Sequence, residues 1–99
     1  MHTDNAMHTL IMLLDQAEEL AAQFSGGYSG NFWSAEEFHM ALAQSIMKLK
    51  NGDQSQLEKL NLWFLPTSCW DDFIGLDGLD LGNEISEIIS KLMDERRKL

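Results

Sequence analysis

The chain has 99 residues, 44 % of them hydrophobic, with five Phe and three Trp, and a formal net charge of −9. That size and content fit one folded domain over 1–99 with one modest core, and argue against disorder. Seven Lys and Arg stand against sixteen Asp and Glu. Such a balance lacks the basic footprint that nucleic acid or an anionic membrane surface requires.

Met7, Leu10, Leu14, Ala17, Ala21 and Phe24 step by three and four, which predicts one face of a first helix, widened by Ile11, Leu13 and Leu20. Asp4 or Asn5 is positioned to cap its start. The stretch Ser25-Gly26-Gly27-Tyr28-Ser29-Gly30-Asn31 is expected to end it, since glycine favours turn conformations. Ser34-Ala35-Glu36-Glu37 then reads as a capping box. The Ser34 hydroxyl accepts from the amide three residues on, and the Glu37 carboxylate reaches back. Phe32-Trp33, just before it, is expected to act as a hydrophobic staple or as a binding aromatic.

Phe38, Ala41, Leu42, Ile46 and Leu49 form the apolar stripe of this second helix. Lys48 and Lys50 suit its C-terminal dipole, and Asn51-Gly52-Asp53 stops it. A third, shorter helix is predicted from Asp53 or Ser55 to Trp63, with Leu57, Leu60 and Phe64 inward. Leu60–Leu65 reads alternatively as a short strand. Pro66 marks the end, because proline disfavours helical geometry at Leu65. Thr67 or Ser68 is expected to cap one turn through Phe73, and Gly75, Gly78 and Gly82 to break up the stretch after it. The last helix is predicted from Asp80 or Asn83, with Leu81, Ile85, Ile88 and Leu92 on one face and Ile89 and Met93 beside them. Lys91, Arg96, Arg97 and Lys98 complement its C-terminal dipole. The expectation is an all-α fold: a small bundle of about four helices with an irregular, glycine-rich, acidic connection before the last.

The longest apolar run, Leu10–Leu14, is far short of the roughly 20 residues of a membrane span. The N-terminus shows no basic segment followed by an apolar one, so no signal peptide is expected. The single cysteine cannot form an internal disulfide, and a reducing, cytoplasmic setting is expected.

The residues offer little chemistry. His2, His8 and His39 are scattered, and one cysteine is too few for a structural zinc site. Glu36-Glu37-Phe38-His39 holds one Glu-x-x-His, whereas a di-metal bundle needs two such pairs and two further glutamates. No register of residues 71–84 satisfies an EF-hand loop. Cys69 has no Lys or Arg within nine residues on either side, which disfavours a thiolate. Asp71 and Asp72 are neighbours, and on a helix they would point about 100° apart, so they would not converge as an acid–base pair. Helix-end charge is their plain role. No G-x-S-x-G, P-loop or G-x-G-x-x-G occurs. A chain this small is expected to leave little room for a substrate cleft. No catalytic residue, cofactor or metal is assigned, and an enzyme is not expected.

What stands out is the charge distribution. Residues 51–90 carry eight acids against one base, Lys59, and no Lys or Arg occurs from Leu60 to Ser90. Asp71, Asp72, Asp77, Asp80, Glu84 and Glu87 place six carboxylates within seventeen residues. Trp63, Trp70 and Phe73 lie beside them, as core residues or as aromatic anchors in an acidic rim. The expected partner-binding residues are Trp70, Asp71, Asp72, Asp77, Asp80, Glu84 and Glu87, and the expected partner is a basic protein. The plain alternative is that the acidity keeps the chain soluble.

Trp63-Phe64-Leu65-Pro66-Thr67-Ser68-Cys69-Trp70-Asp71-Asp72-Phe73, followed by Asp80-Leu81-Gly82-Asn83-Glu84-Ile85, resembles a pattern in small bacterial proteins of the immunity type from polymorphic toxin systems. The resemblance covers about a quarter of the chain. It implies a cytosolic antitoxin that blocks a cognate toxin by direct binding, and it brings no catalytic residues. Two further classes compete. A nucleic-acid mimic would extend the acidic stripe through Asp15, Glu18, Glu19, Glu36 and Glu37. A regulatory adaptor would form a homodimer through the heptad-like face of the first helix.

Overall fold

A computed structural model describes residues 2–27, 32–65 and 68–97, with the side chains of residues 6–27, 32–65 and 68–95. Within them the chain forms five α-helices: α1 (His2–Ala21), α2 (Ala35–Lys50), α3 (Gln56–Phe64), the short α4 (Cys69–Phe73) and α5 (Leu79–Arg97). A 3₁₀ turn over Gly75–Gly78 joins α4 to α5. No strand occurs among the described residues, so the all-α bundle expected from the periodicity is the observed fold. Leu60–Phe64 is helical, and the strand alternative there is excluded.

The core follows the predicted stripes. Leu10, Leu14, Ala17 and Ala21 of α1 are buried, as are Phe38, Leu42, Ile46 and Leu49 of α2 and Leu57, Leu60 and Phe64 of α3. Ile85, Ile89 and Leu92 complete it from α5, with Leu81 and Ile88 half-buried at its edge. Helix α5 packs on α1 and α3, and α2 packs on the same two, so the four longer helices close a ring around one cluster. Burying a large aliphatic side chain contributes roughly 1.5–3 kcal/mol, and this cluster is the main source of stability. The α1 face considered as an intermolecular seam is used inside the molecule.

Several boundaries differ from expectation. Helix α1 already includes Asp4 and Asn5, so neither caps it from outside. It ends at Ala21, before Phe24, which still packs on the core from the following turn. The capping box at Ser34 forms: the Ser34 hydroxyl accepts from the Glu37 amide at 3.2 Å. Glu37 reaches one residue further back than the motif requires, accepting from the Trp33 amide at 3.2 Å. The staple is not Trp33, which is 81 % exposed. Phe32 does that work, its ring 5.5 Å from Phe38 and 5.6 Å from Trp63.

Leu65 takes extended geometry (φ −65°, ψ 151°), as a residue before proline should. Pro66 and Thr67 themselves lie outside the described residues, as do the side chains of Arg96, Arg97 and Lys98. Ser68 precedes α4 without a side-chain cap bond. The expected irregular connection is thus ordered into α4 and the 3₁₀ turn, and α5 begins at Leu79, earlier than Asp80 or Asn83.

The glycines of this connection do different jobs. Gly75 has φ +66°, a left-handed geometry that suits a break between elements. Gly82 breaks nothing, for it lies inside α5. A Cβ added at Gly82 would stand 2.6 Å from the indole of Trp70, and one at Gly78 would stand 2.5 Å from it. Both glycines are flat ground on which the Trp70 ring lies. The indole N–H donates to the Gly78 carbonyl at 2.8 Å, which satisfies the one polar atom of this buried ring.

Candidate functional site

Two surfaces stand out by their charge and shape. The first is the acidic side. Asp80, Glu84 and Glu87 recur at four and three residues along α5, which places them on one face of the helix. Asp77 in the 3₁₀ turn leads into that row, and Asp72 precedes it in α4. All five are exposed, while Asp71 is half-buried. The first cation along α5 is Lys91, 3.8 Å from Glu87, and Asp77, Asp80 and Glu84 make no ion pair among the described residues. The result is a row of like charges with one partial neutraliser at its far end.

Trp70 does not belong to this surface. It is 1 % exposed, its ring 4.9 Å from that of Phe64, and it sits over Gly78 and Gly82. Its expected role as an accessible anchor is corrected to a core role, because a ring that fills the α3–α5 interface cannot also meet a partner. The apolar side chains that do reach solvent beside the acids are Leu76, 87 % exposed, and Leu79, in the 3₁₀ turn and at the start of α5.

On α1 and α2, Glu19 is exposed, while Asp15, Glu18, Glu36 and Glu37 have local work. Asp15 pairs with Lys50 at 3.0 Å, and Glu18 faces His39 at 3.2 Å, both joining α1 to α2. Glu36 accepts from the Gly26 amide at 2.9 Å, and Glu37 from the Trp33 amide at 3.2 Å. That Gly26 amide, followed by the amide of Glu36 itself, holds the Glu36 carboxyl below the usual glutamate range. The Glu36 and His39 of the Glu-x-x-His therefore turn to different neighbours. Among the described residues no three His, Cys, Asp or Glu side chains gather as a metal would require.

The second surface is one the sequence does not announce. A cleft of about 550 Å³ opens between α2 and α3, within the range of small-molecule sites and larger than a chain of this size suggests. Its position results from a short reversal. Asp53 accepts from the amide and hydroxyl of Ser55 (3.1 and 2.5 Å) and from the Gln56 side-chain amide (3.0 Å), which starts α3 running back along α2. The Ser55 and Gln56 bonds also hold the Asp53 carboxyl below its usual range. Ser45 then meets Gln56 across the two helices, its hydroxyl donating to Oε1 at 2.7 Å.

The cleft is graded along its length. Toward the reversal it is lined by Ser45 and Lys48 of α2 and by Gln56 and Lys59 of α3. Toward the other end it is lined by Phe32, Ala41, Trp63 and Cys69. Among the described residues no carboxylate lines it. Nothing in the sequence marks this site, since its residues are ordinary ones brought together only by the α2–α3 reversal.

Comparison with known protein families, with curated proteins and with solved structures finds no match to this chain. No helix among the described residues is long and apolar enough to cross a membrane.

Proposed function

We propose that this chain is a protein-binding module of the inhibitor or immunity type, which grips a basic partner through the acidic side of α5. The observation that carries the reading is the exposed row Asp77, Asp80, Glu84 and Glu87, headed by the solvent-facing Leu76. A carboxylate row accelerates encounter with a basic surface, and an exposed leucine at its head supplies the desolvated contact that slows release. The resemblance to immunity-type proteins agrees with it but does not carry it. The acids needed to extend a nucleic-acid mimic, Glu19 apart, are engaged locally, so the row stays within the 3₁₀ turn and α5 and suits a protein partner better than a phosphate-spaced surface.

The test is capture of a basic partner from the source lysate by the tagged chain, compared with an Asp77→Asn/Asp80→Asn/Glu84→Gln variant and with Leu76→Ser. Retention of one basic protein in stoichiometric amount, weakened about tenfold or more at low salt by the triple change, is the expected result. Equal retention by the wild type and the triple variant would refute the electrostatic grip.

A further inference from the structure

We infer that the α2–α3 cleft, lined by no residue of the acidic row, is a binding site for a small organic anion with a flat apolar body. The charge pattern is the first ground. Four lysine side chains are described in this strongly acidic chain. Lys50 is held by Asp15 and Lys91 by Glu87. The other two, Lys48 and Lys59, make no ion pair among the described residues, and both line the cleft. Asp53 feels the charge of Lys48 only weakly, behind its bonds from Ser55 and Gln56.

The lining is the second ground. Ser45 and Gln56 are buried, 3 % and 6 % exposed, and their mutual bond leaves capacity unused. The Ser45 hydroxyl proton is spent on that bond, whereas the Gln56 amide keeps a second N–H beyond the one given to Asp53. That N–H, with Lys48 and Lys59 lining the same end of the cleft, offers donors to an anionic head group. The opposite end is apolar, with the Phe32 and Trp63 rings edge-to-face at 5.6 Å. That end offers ring faces and edges to a flat body. A polar, cationic end and an aromatic end within one cleft match a ligand with the same division.

The probe is 2-naphthoate, titrated by calorimetry and followed in ¹H–¹⁵N spectra, with 2-naphthyl phosphate, 2-naphthylmethanol and acetate as companions. Saturable one-to-one binding of the naphthyl anions is expected, with shifts concentrated at Ser45, Lys48, Gln56, Lys59 and the Trp63 indole. The tighter of carboxylate and phosphate names the head group. The neutral alcohol should bind at least tenfold more weakly, and acetate should not saturate. A Lys48→Gln/Lys59→Gln variant, altered only at exposed positions, should lose about tenfold in affinity for the anions and none for the alcohol. Unchanged anion affinity in that variant, shifts centred on another face, or no saturable binding would overturn the assignment.

Discussion

The passage into α2 and the passage into α5 are both turns beside a tryptophan and acidic residues, yet they are held in opposite ways. Before α2, Trp33 stands in solvent, and the turn is stitched at the surface by Ser34, Glu36 and Glu37 through hydrogen bonds to nearby amides. Before α5, Trp70 is inside, the glycines lie against it, and Asp72, Asp77 and Asp80 face outward. The first junction rests on polar contacts that water can replace; the second rests on volume. Polar contacts at a surface are each modest, whereas a buried ring touches many atoms at once.

That contrast predicts a ranking. Trp70→Ala should cost most, about 3–5 kcal/mol, as a large buried aromatic removed from a core does. It should lower the urea midpoint steeply, and the free energy at the wild-type midpoint is the quantity to compare. Gly82→Ala comes second and is the sharper test. Helix propensity alone would make it stabilising by roughly 0.5–1 kcal/mol. The added methyl, 2.6 Å from the indole, should instead destabilise by about 1–3 kcal/mol. In a Trp70→Leu background the same change should cost much less, and a double-mutant cycle measures the difference. An outcome in which Gly82→Ala stabilises the wild type would remove the packing account of the second junction.

At the first junction Ser34→Ala should cost about 1 kcal/mol, the usual loss for an N-cap hydroxyl, by thermal or urea unfolding. The smallest effect is one of pH. The Glu36 and Asp53 carboxyls titrate below their ordinary values of 4.5 and 3.8 in the folded chain. The unfolded chain therefore takes up these protons first on acidification. Their contribution is complete above the ordinary values and is lost as pH falls through the lowered ones. Urea midpoints measured from pH 6 down to pH 3 should fall less steeply for Glu36→Gln than for the wild type.

The two junctions also differ in how far they can be read from the sequence. The capping box is legible because its parts lie within four residues and their geometry is dictated by the helix itself. The core stripes are legible for the same reason, as Leu10, Leu14, Ala17 and Ala21 recur at the helical period. Gly82 reads as a break in the sequence because its reason is Trp70, twelve residues away and in a different element. The burial of Trp70 is open in the sequence for the same cause: its acidic neighbours suggest a surface, and only packing decides which face of α4 turns inward. In the candidate sites, the exposed acids stand where helical spacing puts them, on one face of α5. The cleft is invisible in the sequence, since Ser45, Lys48, Gln56 and Lys59 are common surface-compatible residues whose meeting depends on how the chain reverses at Asp53.

The position of Cys69 has a consequence for measuring motion in this chain. It is the only thiol, 7 % exposed, at the first residue of α4 and on the wall of the cleft. At 7 % exposure the thiol is shielded, so the rate of labelling by a bulky disulfide reagent reads the free energy of the local opening that exposes it, apart from global unfolding. Occupancy of the cleft would slow the same reaction, which makes one native side chain a reporter both for the stability of the Trp70 corner and for a ligand beside it.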